Sequence, residues 1–261
     1  MDLDLTGKHA LVCGASQGIG RAAAIELAQL GACVTLLARS REALDAMLPE
    51  LPAPAGQTHA ALAADMNDHP TLRAKVEDLA NARPVQIVVN NSGGPPGGPA
   101  HTAALDDFRI AFNQHVMAAQ IVLQALLPGM RGSGYGRVIN VISTSVKEPI
   151  RNLGVSNTIR GAMASWAKTL ATELGPFGIT VNNVLPGYTK TQRLDQILAD
   201  RAKASGKDRD AVAQTMLASV PLGRFADAGE IGAVIAFLAS PAAGYVNGIS
   251  VPVDGGRTLS L

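Results

Sequence analysis

Seven short apolar runs rich in Val, Ile, Leu and Ala alternate along this chain with longer stretches of helical apolar spacing, and that alternation leaves few folds open. The runs predict strands near His9–Cys13, Cys33–Ala38, Thr58–Ala63, Gln86–Val89, Arg137–Ile142, Ile179–Val184 and Ile249–Val251. The stretches between them predict helices near Gly18–Leu30, Arg41–Leu48, His69–Ala80, Asp106–Pro128, Val155–Leu174, Leu194–Ser219 and Asp227–Leu238. Strands that are apolar on both faces and separated by helices belong in a parallel sheet covered on both sides. The expected fold is therefore α/β, a doubly wound parallel sheet of about seven strands with helices on both faces. No linker interrupts the alternation before Val253, so residues 1–261 read as one domain. Ligands of such sheets bind beyond the carboxyl ends of the strands.

Charge narrows the partners. Lys and Arg number 22 against 21 Asp and Glu, a net charge of +1, which gives no field to attract nucleic acid or an anionic membrane surface. A hydrophobic fraction of 47% and a mean hydropathy of +0.17 suit a globular core, and no uninterrupted apolar run reaches the roughly 18 residues of a membrane span. Met1–Thr6 carries Asp2 and Asp4 and lacks both a basic and an apolar leader region, so no secretory signal is expected. Cys13 ends one predicted strand and Cys33 begins the next, which in a parallel pair puts them too far apart to bridge. Reduced thiols predict a cytoplasmic protein.

The first strand runs directly into Gly14-Ala15-Ser16-Gln17-Gly18-Ile19-Gly20, and a helix follows. Glycines at this junction let the backbone turn tightly and approach a diphosphate, which then meets the free N–H groups of a helix N-terminus. The second strand ends in Leu37-Ala38-Arg39-Ser40, without the carboxylate that a ribose 2′-hydroxyl would call for. Arg39, with Ser16, Ser40 and Arg41, suits a 2′-phosphate instead, so the reading favours NADP(H) over NAD(H). The bland alternative makes Arg39 a solvated residue opening the next helix. Asp65 and Met66, just past the third strand, are placed to meet an adenine ring, though Asp65 also reads as a surface carboxylate.

These residues resemble the short-chain dehydrogenase/reductase family, and within it the 3-oxoacyl-[acyl-carrier-protein] reductases. The resemblance covers nearly the whole chain: Gly7-Lys8, the Gly14–Gly20 turn, Asp65, Asn90-Asn91-Ser92-Gly93, Pro186-Gly187 and Val253-Asp254-Gly255-Gly256. It implies a single-domain Rossmann-type fold and a cofactor contacted by Gly14, Ser16, Gln17, Gly18, Ile19, Gly20, Asn91, Ser92, Gly93, Pro186, Gly187 and Thr189. It also implies a catalytic set of Asn, Ser, Tyr and Lys. Asn113 and Ser143 match the first two. Counting back from Ala167-Lys168-Thr169-Leu170-Ala171 puts the Lys position at Arg160 and the Tyr position at Ser156, and Ser156 lies thirteen residues after Ser143, as the family spacing requires. Tyr-x-x-x-Lys is thus replaced by Ser156-Asn157-Thr158-Ile159-Arg160.

That replacement changes the chemistry. In the family the phenol handles the proton while the nicotinamide exchanges hydride, with the ammonium lowering the phenol pKa. A serine hydroxyl is a far weaker acid on a shorter arm, and a guanidinium holds its proton. Arg160 can still bind ribose hydroxyls. Tyr188, directly after Pro186-Gly187, is the first replacement donor, with the alternative that it forms an apolar wall of the pocket. His101, an imidazole that could carry a proton, sits in a Gly/Pro-rich loop, where a surface residue is the alternative. Lys147 and Glu148 either reach the pocket mouth or are solvated.

Two functions stay open on the sequence. One is an oxidoreductase interconverting a small-molecule carbonyl and alcohol, an acyl thioester among the candidates, with an atypical proton donor. The other is a non-catalytic dinucleotide sensor or structural subunit retaining the fold. Retention of Asn113 and Ser143 favours the enzyme. The resemblance further implies a homo-oligomer, a tetramer packed through the Asp106 and Val155 helices, and a substrate lid over residues 190–222.

Overall fold

A computed structural model describes residues 1–260. Its seven strands, β1 (His9–Cys13), β2 (Cys33–Ala38), β3 (Ala60–Ala63), β4 (Ile87–Asn90), β5 (Gly136–Val141), β6 (Ile179–Pro186) and β7 (Ser250–Val253), form one parallel sheet in the order β3-β2-β1-β4-β5-β6-β7. The order reverses between β1 and β4, which opens a crevice at their carboxyl ends. Every residue of β1, β4 and β5 is buried, because helices cover both faces. One face packs on α1 (Gly18–Gln29) and α9 (Ala228–Ala239). The other packs on α3 (His69–Ala82), α5 (Ala118–Ser133) and α6 (Gly154–Leu174).

Registers β4–β5–β6–β7 align Asn90, Asn140, Asn183 and Ser250 in one row. Their side chains donate in sequence across the sheet, Asn90 to Asn140 at 2.8 Å, Asn140 to Asn183 at 3.0 Å and Asn183 to the Ser250 hydroxyl at 3.0 Å. A buried polar row of this kind links each side chain to its neighbour, leaving the Asn90 Oδ1 at its end without a partner among the described residues, and fixes the strand register near the crevice. His9 pairs with Cys33 and Cys13 with Leu37, so the two buried cysteines stand four pairs apart and both are free.

Two expected helices differ. The span read as Asp106–Pro128 is α4 (Leu105–Phe112), a π-helical turn at Asn113–Met117, and α5, which runs through Pro128 to end at left-handed Gly134. The stretch Leu105–Ser133 is long and apolar enough to cross a membrane, although no uninterrupted apolar run is that long, and half of its most apolar window is buried in the core. The span read as Leu194–Ser219 breaks at Gly206, whose φ is +67°, into α7 (Gln192–Ser205) and α8 (Arg209–Leu217), the second capped by Asp208. The remaining helix, α2 (Arg41–Met47), follows β2.

Candidate functional site

A cleft of about 590 Å³ runs along the carboxyl edge of the sheet from Arg39 to Tyr188. At its first end, Gly14 has φ +60°, and a Cβ added there would stand 2.7 Å from the Asn91 carbonyl oxygen. A Cβ on Gly20 would stand 2.2 Å from the Gly14 carbonyl oxygen, so only glycine lets α1 begin against the turn. Gln17 precedes α1 with extended backbone and no side-chain cap, and the first turn holds no acid, so its N–H groups are left for an anion. Asn91 donates to the Cys13 and Gly14 carbonyls at 3.3 and 3.2 Å. It therefore braces the turn as well as lining the cleft.

Arg39 is exposed, lines the cleft and makes no ion pair among the described residues. Ser40 lines it too while its hydroxyl caps α2 by accepting from the Ala43 N–H at 3.1 Å. Arg41 does not join them. Its guanidinium is engaged by Asp45 at 2.8 Å on its own helix. Asp65 and buried Met66 form the floor next to Arg39, with Asp65 accepting from the Asn67 N–H at 2.9 Å. These groups fit the adenosine half of NADP(H): an unpaired guanidinium for a 2′-phosphate, a carboxylate for the adenine amino group and free helix N–H groups for the diphosphate.

At the other end Ser143 closes β5 in extended conformation, and its hydroxyl accepts from the Ser145 N–H at 3.1 Å. Ser156 and Arg160 lie one helical turn apart on α6, both against the cleft. Arg160 is 7% exposed and donates Nη1 to the Val141 carbonyl at 3.0 Å. Burial, and secondarily the neighbouring Arg193, pull its pKa down to about 10, still charged at neutral pH. Gly187 packs where a Cβ would meet the Asp254 Cα at 2.6 Å, which joins Pro186-Gly187 to the C-terminal glycine segment, and buried Thr189 continues the wall.

Four candidate residues lie outside the cleft wall at this end, His101 as the surface loop residue that its Gly/Pro-rich setting favours. Asn113 is not in the cleft wall: it opens the π-helical turn, its carbonyl accepts from His69 Nε2 at 3.1 Å, and Gln114 takes the lining position. His101 is exposed in a short turn away from the cleft. Glu148 instead accepts from the Leu259 and Ser260 N–H groups at 2.8 Å and tethers the C-terminal tail, and Lys147 beside it is also outside the cleft. Tyr188 does line the cleft. Its ring meets Phe225 edge-on at 6.1 Å, carries Arg257 at 4.7 Å, and packs on the α7–α8 apolar cluster, which is the arrangement of a wall.

The sequence reading missed His115 and Arg193. His115 is buried, with Nδ1 2.8 Å from the Ser92 hydroxyl. Burial first, and Arg160 second, push its pKa down to about 3, so it is neutral. Arg193 lines the cleft from α7 and donates to the Pro95 carbonyl at 3.0 Å. A histidine two residues past Asn113 in an apolar helix was the one available signal.

Residues 14–258 match the family described as enoyl-(acyl carrier protein) reductase. The chain is 34% identical over 262 residues to the 3-oxoacyl-[acyl-carrier-protein] reductase FabG of Pseudomonas aeruginosa, covering 99% of this chain and 100% of that one. Its fold superposes with a TM-score of 0.93 on the L-sorbose reductase of Gluconobacter frateurii complexed with NADPH and L-sorbose, at 31% identity and complete coverage of both chains. An NAD+-bound xylitol dehydrogenase superposes at 0.89, with 29% identity over 96% of this chain and 99% of the other. On the sheet order, the glycine turn and these matches, the chain belongs to the short-chain dehydrogenase/reductase family.

Proposed function

We propose that this protein is an NADP(H)-dependent oxidoreductase that interconverts a small-molecule carbonyl and an alcohol without the phenol its relatives use. The observation that carries the reading is the pairing of a complete dinucleotide cradle with Ser143, Ser156 and Arg160 grouped at the far end of the same cleft. NADP(H) rather than NAD(H) is supported by Arg39, an unpaired guanidinium at the end of β2 with no acceptor carboxylate beside it.

When bound, the nicotinamide supplies or accepts the hydride. Ser143 donates a hydrogen bond from its hydroxyl to the substrate oxygen and orients the carbonyl. Arg160, fixed by the Val141 carbonyl, holds a positive charge beside the reacting end of the cleft, where its remaining donors would meet substrate oxygens or, with the cofactor bound, its ribose hydroxyls. Among the described residues no carboxylate, imidazole or thiol lines this end of the cleft, so the proton reaches the oxygen from water held by the Ser143 and Ser156 hydroxyls. Tyr188 serves as a wall. Losing a positioned acid costs about 10²–10⁴ in rate, so turnover is slow compared with relatives that keep the phenol.

Ile110, Phe112 and Met117 are exposed along α4 and the π-helical turn, and this apolar strip supports self-association of the chain through that face, as a tetramer. Residues 190–222, carrying α7 and α8, form the substrate lid. Two buried free thiols suit a reducing, cytoplasmic setting.

The alternative of a non-catalytic dinucleotide sensor is favoured by one observation, the absence of the phenol. NADPH oxidation followed at 340 nm with a panel of ketones, oxo acids and acyl thioesters decides between them. Carbonyl-dependent oxidation with alcohol formed in equal amount supports the enzyme. Tight NADPH binding with no oxidation for any compound overturns it.

A further inference from the structure

The substrate end of the cleft is unbalanced in charge. Among the described residues Asp65 is the only carboxylate in the cleft wall and lies at the Arg39 end, whereas Arg160 and Arg193 both face the end built from β5, α6 and α7. Arg160 is buried, and of its five N–H donors one is met, by a backbone carbonyl. Arg193 is held over the Gly93–Gly97 loop by its bond to Pro95, also a backbone carbonyl. Neither guanidinium has an acidic partner among the described residues. A buried cation without a counter-charge is costly, and two cations converging on one space raise that cost. Arg160 holds its proton less tightly than a free guanidinium, chiefly because it is buried and secondarily because Arg193 is near.

His115 does not offset the imbalance. It is buried beside Arg160 and neutral, and its Nε2 is without a hydrogen-bond partner. The wall around the two arginines combines apolar Leu153, Ile197 and Tyr188 with neutral polar groups, the Ser143 and Ser156 hydroxyls and the Gln114 and Gln192 amides, none of which carries a negative charge.

We propose that Arg160 and Arg193 bind an anionic group of the substrate, a carboxylate, so that the protein acts on small oxo acids and the corresponding hydroxy acids. The geometry suits such a molecule at three points: a carboxylate for the guanidinium pair, a carbonyl for Ser143, and a short apolar body for the Leu153 and Ile197 walls. Planar guanidinium donors match carboxylate oxygens better than any other group in this pocket. This deepens the oxidoreductase reading and rests on it for turnover, but the anion site itself is testable without turnover. The cofactor diphosphate is the competing source of negative charge, and Arg193 separates the two sources.

The test compares 3-oxobutanoate, 4-methyl-2-oxopentanoate and phenylpyruvate with their methyl esters, using NADPH and the full chain. The acids are expected to exceed their esters in kcat/KM by at least about tenfold, the size of one charge-assisted hydrogen bond. Arg193→Gln should raise KM for the acids by about tenfold and leave the esters and the NADPH dissociation constant within about twofold, and Arg193→Glu should favour the esters. Calorimetric titration of the same acids into the protein–NADPH complex reads the site independently of turnover. Acid binding that R193E abolishes supports the proposal even if no carbonyl is reduced, an outcome that would sink only the oxidoreductase reading. Equal handling of acids and esters, or no acid binding to the complex, overturns the anion site. So does weakened NADPH binding in R193Q with acid preference intact, which would assign the pair to the diphosphate.

Discussion

At the β1–α1–β2 end of the cleft the main chain supplies a turn and a free helix N-terminus that suit a dinucleotide, whereas the β5–α6–β6 end presents the side chains of Ser143, Ser156 and Arg160. The first end depends on main-chain geometry, which glycines at Gly14 and Gly20 enforce by excluding side chains. The second depends on side-chain chemistry, carried by Ser156 and Arg160 one helical turn apart on α6. Backbone-built sites tolerate little, while side-chain-built sites can change their reaction on an unchanged frame.

The largest expected effect comes from restoring the missing pair. Ser156→Tyr with Arg160→Lys should speed reduction of simple ketones by about 10²–10⁴, and the two changes should be strongly non-additive, since each alone lacks its partner. Steady-state rates of the wild type, both single mutants and the double mutant measure this. A double mutant that loses native turnover while binding NADPH normally would show that Ser156 marks space the substrate occupies. Breaking the other end is next: Gly20→Val drives a side chain into the Gly14 carbonyl, and fluorescence titration should show NADPH affinity down by about a hundredfold, with stability lowered by about 1–3 kcal/mol. Arg39→Asp is gentler. It should shift the NADPH-to-NADH affinity ratio toward NADH by about tenfold or more, and an unchanged ratio would remove Arg39 from the phosphate site.

How much of this was legible in the sequence follows the same division. β1 and β2 were readable to the residue, because an apolar run between a helix end and a glycine turn has one interpretation. Ser143, Ser156 and Arg160 could be placed by spacing, since a strand end and a helical turn are local features. What was lost depends on long-range contact. Pro128 read as a helix end, yet α5 continues because it is packed against α3 and the sheet, and tertiary packing outweighs a missing N–H donor. The break at Gly206 is a local signal that the long charged span obscured. Arg193 and His115 approach Arg160 from α7 and from the π-helical turn, and no spacing in a single chain announces that meeting.

The smallest effect concerns acid stability. His115 and His9 are held neutral by burial, with pKa values pushed down to about 3 and about 4 against 6.5 in an unfolded chain. The unfolded state therefore takes up more protons below pH 6.5, and stability is full above that value and falls as pH drops toward about 4. Urea unfolding at pH 7 and pH 5 should show the loss, and His115→Gln should reduce it; an identical loss in the variant would place the acid sensitivity elsewhere.

The pH dependence of kcat/KM with NADPH and a saturable carbonyl substrate tests the central claim most directly. A site that draws its proton from water held by serines, beside an arginine charged throughout, has nothing to titrate near neutrality. The wild type should be flat from about pH 6 to 9, and the Ser156→Tyr, Arg160→Lys variant should acquire a limb in that range as a phenol beside an ammonium begins to ionise. A limb already present in the wild type would contradict the account, because it would mean that an ionising acid works in a cleft read here as having none.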